Sequence, residues 1–205
     1  KWYNTCMKYT NSLEIKTIIT DHDETLWSGI IAENEEPVLN NQYYELLLEL
    51  KSKGVVIFAV TKNDEDDVDK AFDKLNIDKD LFVKVVSNWE SKSNNIELLI
   101  KQLGLREEST LFIDDNKLEL NEVEARFPEM SVLNAADWNM LLDNEFHKNL
   151  STPYSDVEQR YKKYRHLLNL YKDREVYNGT DEDFLKSRNR VINIFKPTND
   201  EENNR

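Results

Sequence analysis

Short apolar runs recur along the chain from residue 17 to residue 133. Each run is a few residues long and rich in Val, Ile, Leu, Phe or Thr, which is typical of strands. The runs are continuous rather than alternating, which indicates strands that are covered on both faces. Strands are therefore predicted at 17–20, 55–60, 81–86, 110–113 and 131–133.

The segments between these runs carry apolar residues at the spacing of a helix. The predicted helices cover 41–53, a segment capped by Asn63 or Asp64, a segment ending before Gly104, and 118–127. Strands that alternate with helices indicate parallel pairing through crossover connections. The pattern predicts an α/β fold with a doubly wound parallel sheet, extending over about residues 14–145.

The pattern becomes more charged after residue 150. A long helix is predicted over 155–174, a second amphipathic helix around 181–188, and a short strand at 191–195. The polar end of the chain is typical of disorder. The predicted organisation is a core over 1–150, a C-terminal helical extension with a short strand over 151–197, and a disordered tail over 198–205.

The chain is strongly acidic, with 27 Lys and Arg against 40 Asp and Glu and a net charge of −13. This charge argues against nucleic acid and against an anionic membrane surface as partners. An acidic site would instead attract a divalent cation. Cys6 is the single cysteine, so an internal disulfide is impossible, and we expect a cytoplasmic protein. The sequence contains no apolar run long enough to span a bilayer.

Polar residues follow the predicted strands at the points where the strands end. Asp21-His22-Asp23 follows the first strand, Thr61-Lys62-Asn63 the second, and Asp114-Asp115 a later one, with Lys92 in the loop after another. Ligands of open parallel sheets bind at this edge. Carboxylates at such density repel one another unless a cation lies among them, and oxygen ligands suit Mg²⁺. The sequence predicts a site for Mg²⁺ and phosphate.

These residues resemble the sequence motifs of haloacid dehalogenase-like phosphotransferases. The run 21–26 resembles the first motif, DxDxT[LV]; Thr61 resembles the second-motif hydroxyl, Lys92 the third-motif cation, and Asp114-Asp115 the acidic fourth motif. The segments that narrow the resemblance to the FkbH-like subfamily are 25–33, 61–68, 88–93 and 112–116. That subfamily loads glycerate-derived acyl units onto acyl carrier proteins in polyketide pathways.

The resemblance implies a role for each matched residue. Asp21 would be the nucleophile, and Asp23 would protonate the leaving oxygen and then activate water. The implied Mg²⁺ ligands are Asp21, the Asp23 carbonyl, and one or both of Asp114 and Asp115. Thr61 and Lys92 would hold the phosphoryl oxygens. The candidate substrate-binding residues are Thr25, Trp27, Asn63 and Asn116.

The resemblance also implies a Rossmann-like core and a specific reaction. The spacing between Thr61 and Lys92 leaves no room for a large cap. The expected substrate is 1,3-bisphosphoglycerate, whose glyceryl-type acyl unit would be loaded onto the phosphopantetheine arm of an acyl carrier protein. The subfamily usually places a cysteine just before the second-motif hydroxyl, where this chain has Val60. A plain phosphatase without acyl transfer, and a non-catalytic docking domain, are the alternatives.

A basic segment within the predicted C-terminal helix allows two interpretations. Its cations are Arg160, Lys162, Lys163, Arg165, Lys172 and Arg174. The helix either packs on the core through Tyr161, Tyr164 and Leu168, or it docks an acidic carrier protein.

Overall fold

The structure, a computed structural model, describes residues 15–142 and 154–188. Cys6, the predicted strand at 191–195 and the predicted tail at 198–205 lie outside these residues. The chain divides into two compact units between Leu168 and Asn169. The predicted boundary at residue 150 falls in the gap that is not described, so it stays a prediction.

A parallel sheet of five strands forms the centre of the first unit. Its strands are β1 (Thr17–Thr20), β4 (Val56–Thr61), β5 (Lys84–Ser87), β6 (Thr110–Asp114) and β7 (Ser131–Asn134). The strand order is β5-β4-β1-β6-β7, and every neighbouring pair is parallel. Two short strands, β2 (Trp27–Ser28) and β3 (Val38–Leu39), form a separate antiparallel pair. The predicted doubly wound α/β fold is confirmed.

Helices cover both faces of the sheet. They are α1 (Asn41–Ser52), α2 (Glu65–Leu75), α3 (Lys92–Leu103), α4 (Lys117–Arg126) and α5 (Tyr154–Val176). One apolar cluster packs α1 and α2 against the sheet, with Leu47 and Phe72 beside Ile18. The other packs α3, α4 and α5 on the opposite face, with Leu99 and Val123 beside Phe58. Burial on both faces explains why the strand sequences are continuously apolar.

The helix ends follow the local sequence. The side chains of Asn40, Ser91 and Asn116 each accept a hydrogen bond from a backbone N–H in the first turn of the helix they precede. Gly104 ends α3 in the left-handed conformation, which a residue without a Cβ adopts without strain. Ser91 and Asn116 stand where the loops after β5 and β6 meet the next helices. The caps therefore fix the ends of both loops, next to the predicted site residues Lys92 and Asp115.

The predicted strand at 81–86 starts too early. Leu81 lies in a 3₁₀ helix, Lys79–Leu81, whose first turn is capped by the Asp78 side chain. Leu81 and Phe82 are nevertheless fully or almost fully buried, at 0% and 2% exposure. The apolar run therefore reflects packing in the core, and only its second half pairs with β4.

Helix α5 is attached to the core by polar contacts as well as by apolar packing. The Tyr161 hydroxyl accepts a hydrogen bond from Ile57 N at 3.1 Å, and Arg160 donates to the Gly54 carbonyl at 2.6 Å. Arg165 donates to the carbonyl of Phe82 at 3.1 Å. Two of the cations in the basic segment thus bind the protein's own backbone, which supports the packing interpretation over carrier docking.

The second unit contains the C-terminal part of α5, from Asn169, and the whole of α6 (Asp181–Ser187). Arg174 donates to Asp181 Oδ1 at 2.6 Å, and the guanidinium groups of Arg174 and Arg188 lie over the Phe184 ring. The predicted helical extension is therefore present. No helix among residues 15–142 and 154–188 is long and apolar enough to cross a membrane.

The loops above the sheet are short. Between β1 and β4 the chain forms only β2, the 3₁₀ helix Ile31–Glu33, β3 and α1, and between β4 and β5 it forms α2 and one 3₁₀ turn. Neither connection contains an inserted domain. The core is therefore capless, as the spacing of Thr61 and Lys92 predicts.

Candidate active site

The carboxyl ends of three neighbouring strands bring the predicted residues together. Strand β1 lies between β4 and β6, so Asp21, Thr61 and Asp114 stand at adjacent positions on one edge of the sheet. The chain proceeds from β1 to one side and later crosses to the other, which makes β1 the point where the strand order reverses. Open α/β sheets bind ligands at such a point.

Lys92 lies at the centre of this group. Its Nζ is 2.8 Å from Asp21 Oδ1 and 2.7 Å from Asp114 Oδ2. All three side chains are buried, with exposures of 6%, 5% and 0%. Burial would lower the pKa of Lys92, but the attraction of the two carboxylates raises it above its usual value. Lys92 is therefore a fixed positive charge.

The negative charge of the carboxylates around Lys92 is greater than its single positive charge can balance. Asp21, Asp114 and Asp115 each offer an oxygen, and these atoms lie within 4.8 Å of one another. Burial raises the pKa of both Asp21 and Asp114, although Lys92 opposes that shift. A second cation among these oxygens would favour their charged forms. Closely spaced carboxylate oxygens suit Mg²⁺, so the donor set fits the predicted metal.

Asp23 is held by two donors. Trp27 Nε1 donates to Asp23 Oδ1 at 2.8 Å, and Asn63 Nδ2 donates to Asp23 Oδ2 at 3.0 Å. Asn63 Nδ2 also lies 2.9 Å from Thr61 Oγ1. These bonds fix the direction of the Asp23 carboxyl group and connect it to Thr61 at the end of β4.

The loop that carries Asp21 and Asp23 folds around one carbonyl group. His22 O accepts hydrogen bonds from the backbone N–H groups of Thr25, Leu26 and Trp27, at 2.7–3.2 Å. Glu24 adopts a positive φ of 52° within this turn. The His22 ring is fully buried, and its centroid lies 4.7, 5.2 and 5.7 Å from those of Trp27, Phe72 and Phe82. This packing of the His22 side chain holds the turn against the apolar core.

The predicted substrate-binding residues occupy different environments. Trp27 is only 1% exposed, so its ring packs in the core while its N–H orients Asp23. Asn63 is also buried, and it too bonds Asp23. Thr25 is buried, and its Oγ1 has no hydrogen-bond partner among the described residues. Asn116 is exposed, and its side chain caps α4. Direct contact between these residues and a substrate stays a prediction.

Two further contacts near the site were not anticipated from the sequence. Lys62 and Glu119 form an ion pair of 2.5 Å between the loop after β4 and the first turn of α4. Trp89 Nε1 donates to Asp64 Oδ1 at 2.9 Å, between the loop after β5 and the start of α2. Both contacts join residues from separate connections, and no local pattern in the sequence signals them.

Solved structures with the same fold include magnesium complexes. The N-terminal part of a Bacteroides fragilis protein, containing a phosphatase domain and complexed with Mg, aligns at a TM-score of 0.56 and 25% identity. The alignment covers 72% of this chain and 43% of that one, so this chain spans less than half of that protein's length. A haloacid dehalogenase-family enzyme from Bacteroides thetaiotaomicron, in a magnesium complex, aligns at a TM-score of 0.52 and 12% identity, over 64% of this chain and 100% of that one.

Sequence comparison gives the family directly. No curated protein matches the chain significantly. The family model for haloacid dehalogenase-like hydrolases matches residues 5–125, which is more than half of the chain. The matched range includes every strand-end residue of the site described above. The chain therefore belongs to the haloacid dehalogenase-like hydrolase family.

Proposed function

We propose that this chain is a magnesium-dependent phosphatase that works through a phosphoryl group on Asp21. The observation that carries the proposal is the cluster of Asp21, Asp114 and Asp115 around Lys92. It combines a nucleophile, a fixed cation and a set of metal ligands within a few ångströms. The family, and the magnesium complexes of similar structures, support the same chemistry.

The side chains divide the reaction between them. An Asp21 oxygen attacks phosphorus and forms a new P–O bond, while the bond to the leaving oxygen breaks and Asp23 gives that oxygen a proton. Water then attacks the phosphorus of the aspartyl-phosphate and gives its proton to Asp23, which releases phosphate and restores Asp21. Thr61 and Lys92 hold the phosphoryl oxygens. Mg²⁺, held by Asp21, the Asp23 carbonyl, Asp114 and Asp115, would reduce the repulsion between these acids and the phosphate.

Removing the metal tests this proposal. With p-nitrophenyl phosphate or acetyl phosphate as substrate, we expect phosphate release in Mg²⁺, loss of release in excess EDTA, and recovery when Mg²⁺ is restored. Circular dichroism in EDTA would show that the protein remains folded. If neither compound releases phosphate with Mg²⁺ present, the phosphatase proposal is overturned; release would exclude the non-catalytic docking domain.

A second candidate function adds acyl transfer to the same site. The capless core favours it, because neither connection on either side of β4 contains an inserted domain that would cover the strand ends against a substrate tethered to a carrier protein. In this proposal the substrate is 1,3-bisphosphoglycerate. The thiol of an acyl carrier protein attacks the C1 acyl phosphate and displaces phosphate, which loads the glyceryl-type unit, and the C3 phosphate ester is hydrolysed at Asp21. Intact-mass analysis of a holo carrier protein incubated with the chain, Mg²⁺ and 1,3-bisphosphoglycerate tests it.

The position of Val60 bears on whether a side chain at this position could accept an acyl group. Val60 is 0% exposed and packs in the apolar cluster beneath α3 and α4. A thiol at this position would be inaccessible to a carrier protein in the described packing. We therefore expect Val60→Cys to add no glyceryl transfer and to form no acyl adduct, as measured by intact mass. An adduct on Val60→Cys, absent from the wild type, would contradict this expectation.

A further inference from the structure

Trp89 is a large aromatic side chain that is both exposed and fixed. It is 61% exposed, yet its indole N–H donates to Asp64 Oδ1 at 2.9 Å. Asp64 occupies the N-cap position of α2, but its side chain makes no capping hydrogen bond there. The Asp64 carboxylate therefore orients the indole ring of Trp89 and does not cap α2. Rigid aromatic side chains of this kind bind partners at a low cost in conformational entropy.

The loop after β5, which carries Trp89, is hydrogen-bonded both to α3 and to the end of β4. Asn88 and Asn95 exchange side-chain hydrogen bonds of 3.1 Å and 2.8 Å. Ser87 Oγ donates to the Asn63 carbonyl at 2.6 Å, and Asn88 N donates to the Thr61 carbonyl at 3.3 Å. These bonds connect the loop after β5 to the end of β4. Trp89 is therefore presented on a rigid support that is continuous with the active site.

A line of contacts leads from Trp89 to Asp23. Trp89 bonds Asp64, Asp64 directly follows Asn63, and Asn63 Nδ2 bonds Asp23 Oδ2 at 3.0 Å. In the proposed reaction Asp23 protonates the leaving oxygen, so the leaving group must lie beside Asp23. Trp89 lies in the loop after β5, three residues before Lys92, and the contacts through Asp64 and Asn63 connect it to Asp23.

The surroundings of Trp89 indicate which leaving group would fit. The exposed acids next to it in the chain, or next to its partner, are Glu90, Asp64 and Glu65. Their negative charges disfavour a second anionic group at this position, while the indole face favours an apolar or aromatic surface. We infer that Trp89 determines specificity by contacting an uncharged, apolar part of the leaving group. The inference rests on the proposed phosphatase function and extends it to a substrate class.

Substrates with different leaving groups separate this role from a structural one. We compare 2-naphthyl phosphate, which has a large uncharged aromatic leaving group, with acetyl phosphate, whose leaving group is too small to reach the ring. Trp89→Ala should raise KM for 2-naphthyl phosphate by about 3- to 10-fold. KM and kcat for acetyl phosphate should stay as in the wild type, which also shows that the variant is folded and active.

Two further variants and a control sharpen the test. Trp89→Phe keeps an aromatic face but has no N–H for Asp64, so its KM for 2-naphthyl phosphate should lie between those of the wild type and Trp89→Ala. Asp64→Ala keeps the indole but releases it, so KM should rise less than in Trp89→Ala. Leu98→Ala removes another exposed apolar side chain, on α3, and should change neither substrate's kinetics.

The outcomes are distinct. A KM for 2-naphthyl phosphate that is unchanged in Trp89→Ala, or an equal loss with both substrates, overturns the role of Trp89 while the phosphatase proposal stands. A wild type that releases phosphate from neither compound overturns the phosphatase proposal, and this inference falls with it.

Discussion

Asp21→Asn is expected to reduce phosphate release by about 10⁴-fold or more, because an amide cannot replace a carboxylate as the nucleophile. The substitution keeps the shape of a buried side chain and an oxygen that can accept from Lys92 Nζ, which lies 2.8 Å from Asp21 Oδ1. Asp114 remains as the second carboxylate bound to Lys92. The variant should therefore fold, and its circular dichroism spectrum should match that of the wild type.

Two measurements separate the loss of the nucleophile from a general loss of charge. Asp66→Asn removes an exposed acid from α2 and should leave phosphate release unchanged. In the wild type, acid quenching during turnover should trap a covalent phosphoryl adduct that is visible by intact mass and absent from Asp21→Asn. Wild-type rates in Asp21→Asn would show that Asp21 is not the nucleophile.

The strand-end residues could be predicted from sequence because a parallel sheet fixes where its strands end. Strand β1 was predicted at 17–20 and is found at Thr17–Thr20, since its apolar, β-branched residues are buried on both faces. Once the strands are placed, the carboxyl ends of neighbouring strands must meet at one edge. Asp21, Asp114 and Lys92 could thus be expected together, and the structure places them in contact.

Other features depend on tertiary contacts that leave no local pattern. Two-residue strands such as β2 and β3 are too short to produce a periodic signal. The bond between Trp27 and Asp23 requires the tight turn in which Glu24 adopts a positive φ. The contact between Trp89 and Asp64 joins residues 25 positions apart, from two separate loops. Sequence reasoning therefore finds the reacting groups more readily than the residues that orient them.

The buried cation also has a structural role, which gives the second large expected effect. Lys92→Met should lower the free energy of unfolding by about 3–5 kcal/mol without metal, because removing one partner leaves buried charges unpaired. Among the described residues, Lys92 forms ion pairs with Asp21 and Asp114, whose side chains are 5% and 0% exposed. Phosphate release should also be lost, since Lys92 holds phosphoryl oxygens in the proposed reaction. Urea unfolding in EDTA measures the change in stability.

Adding Mg²⁺ distinguishes this electrostatic cause from a packing defect. A ligand that binds only the folded state stabilises it, by about 2.7 kcal/mol at 100 times its dissociation constant. Without Lys92 the carboxylates have no competing cation, so we expect Mg²⁺ to raise the stability of Lys92→Met more than that of the wild type. Lys101→Met, which removes an exposed lysine from the same helix, should change stability by no more than about 0.5 kcal/mol in either condition. If Mg²⁺ does not reduce the stability lost in Lys92→Met, then the aliphatic stem of the lysine, and not its charge, stabilises this part of the core.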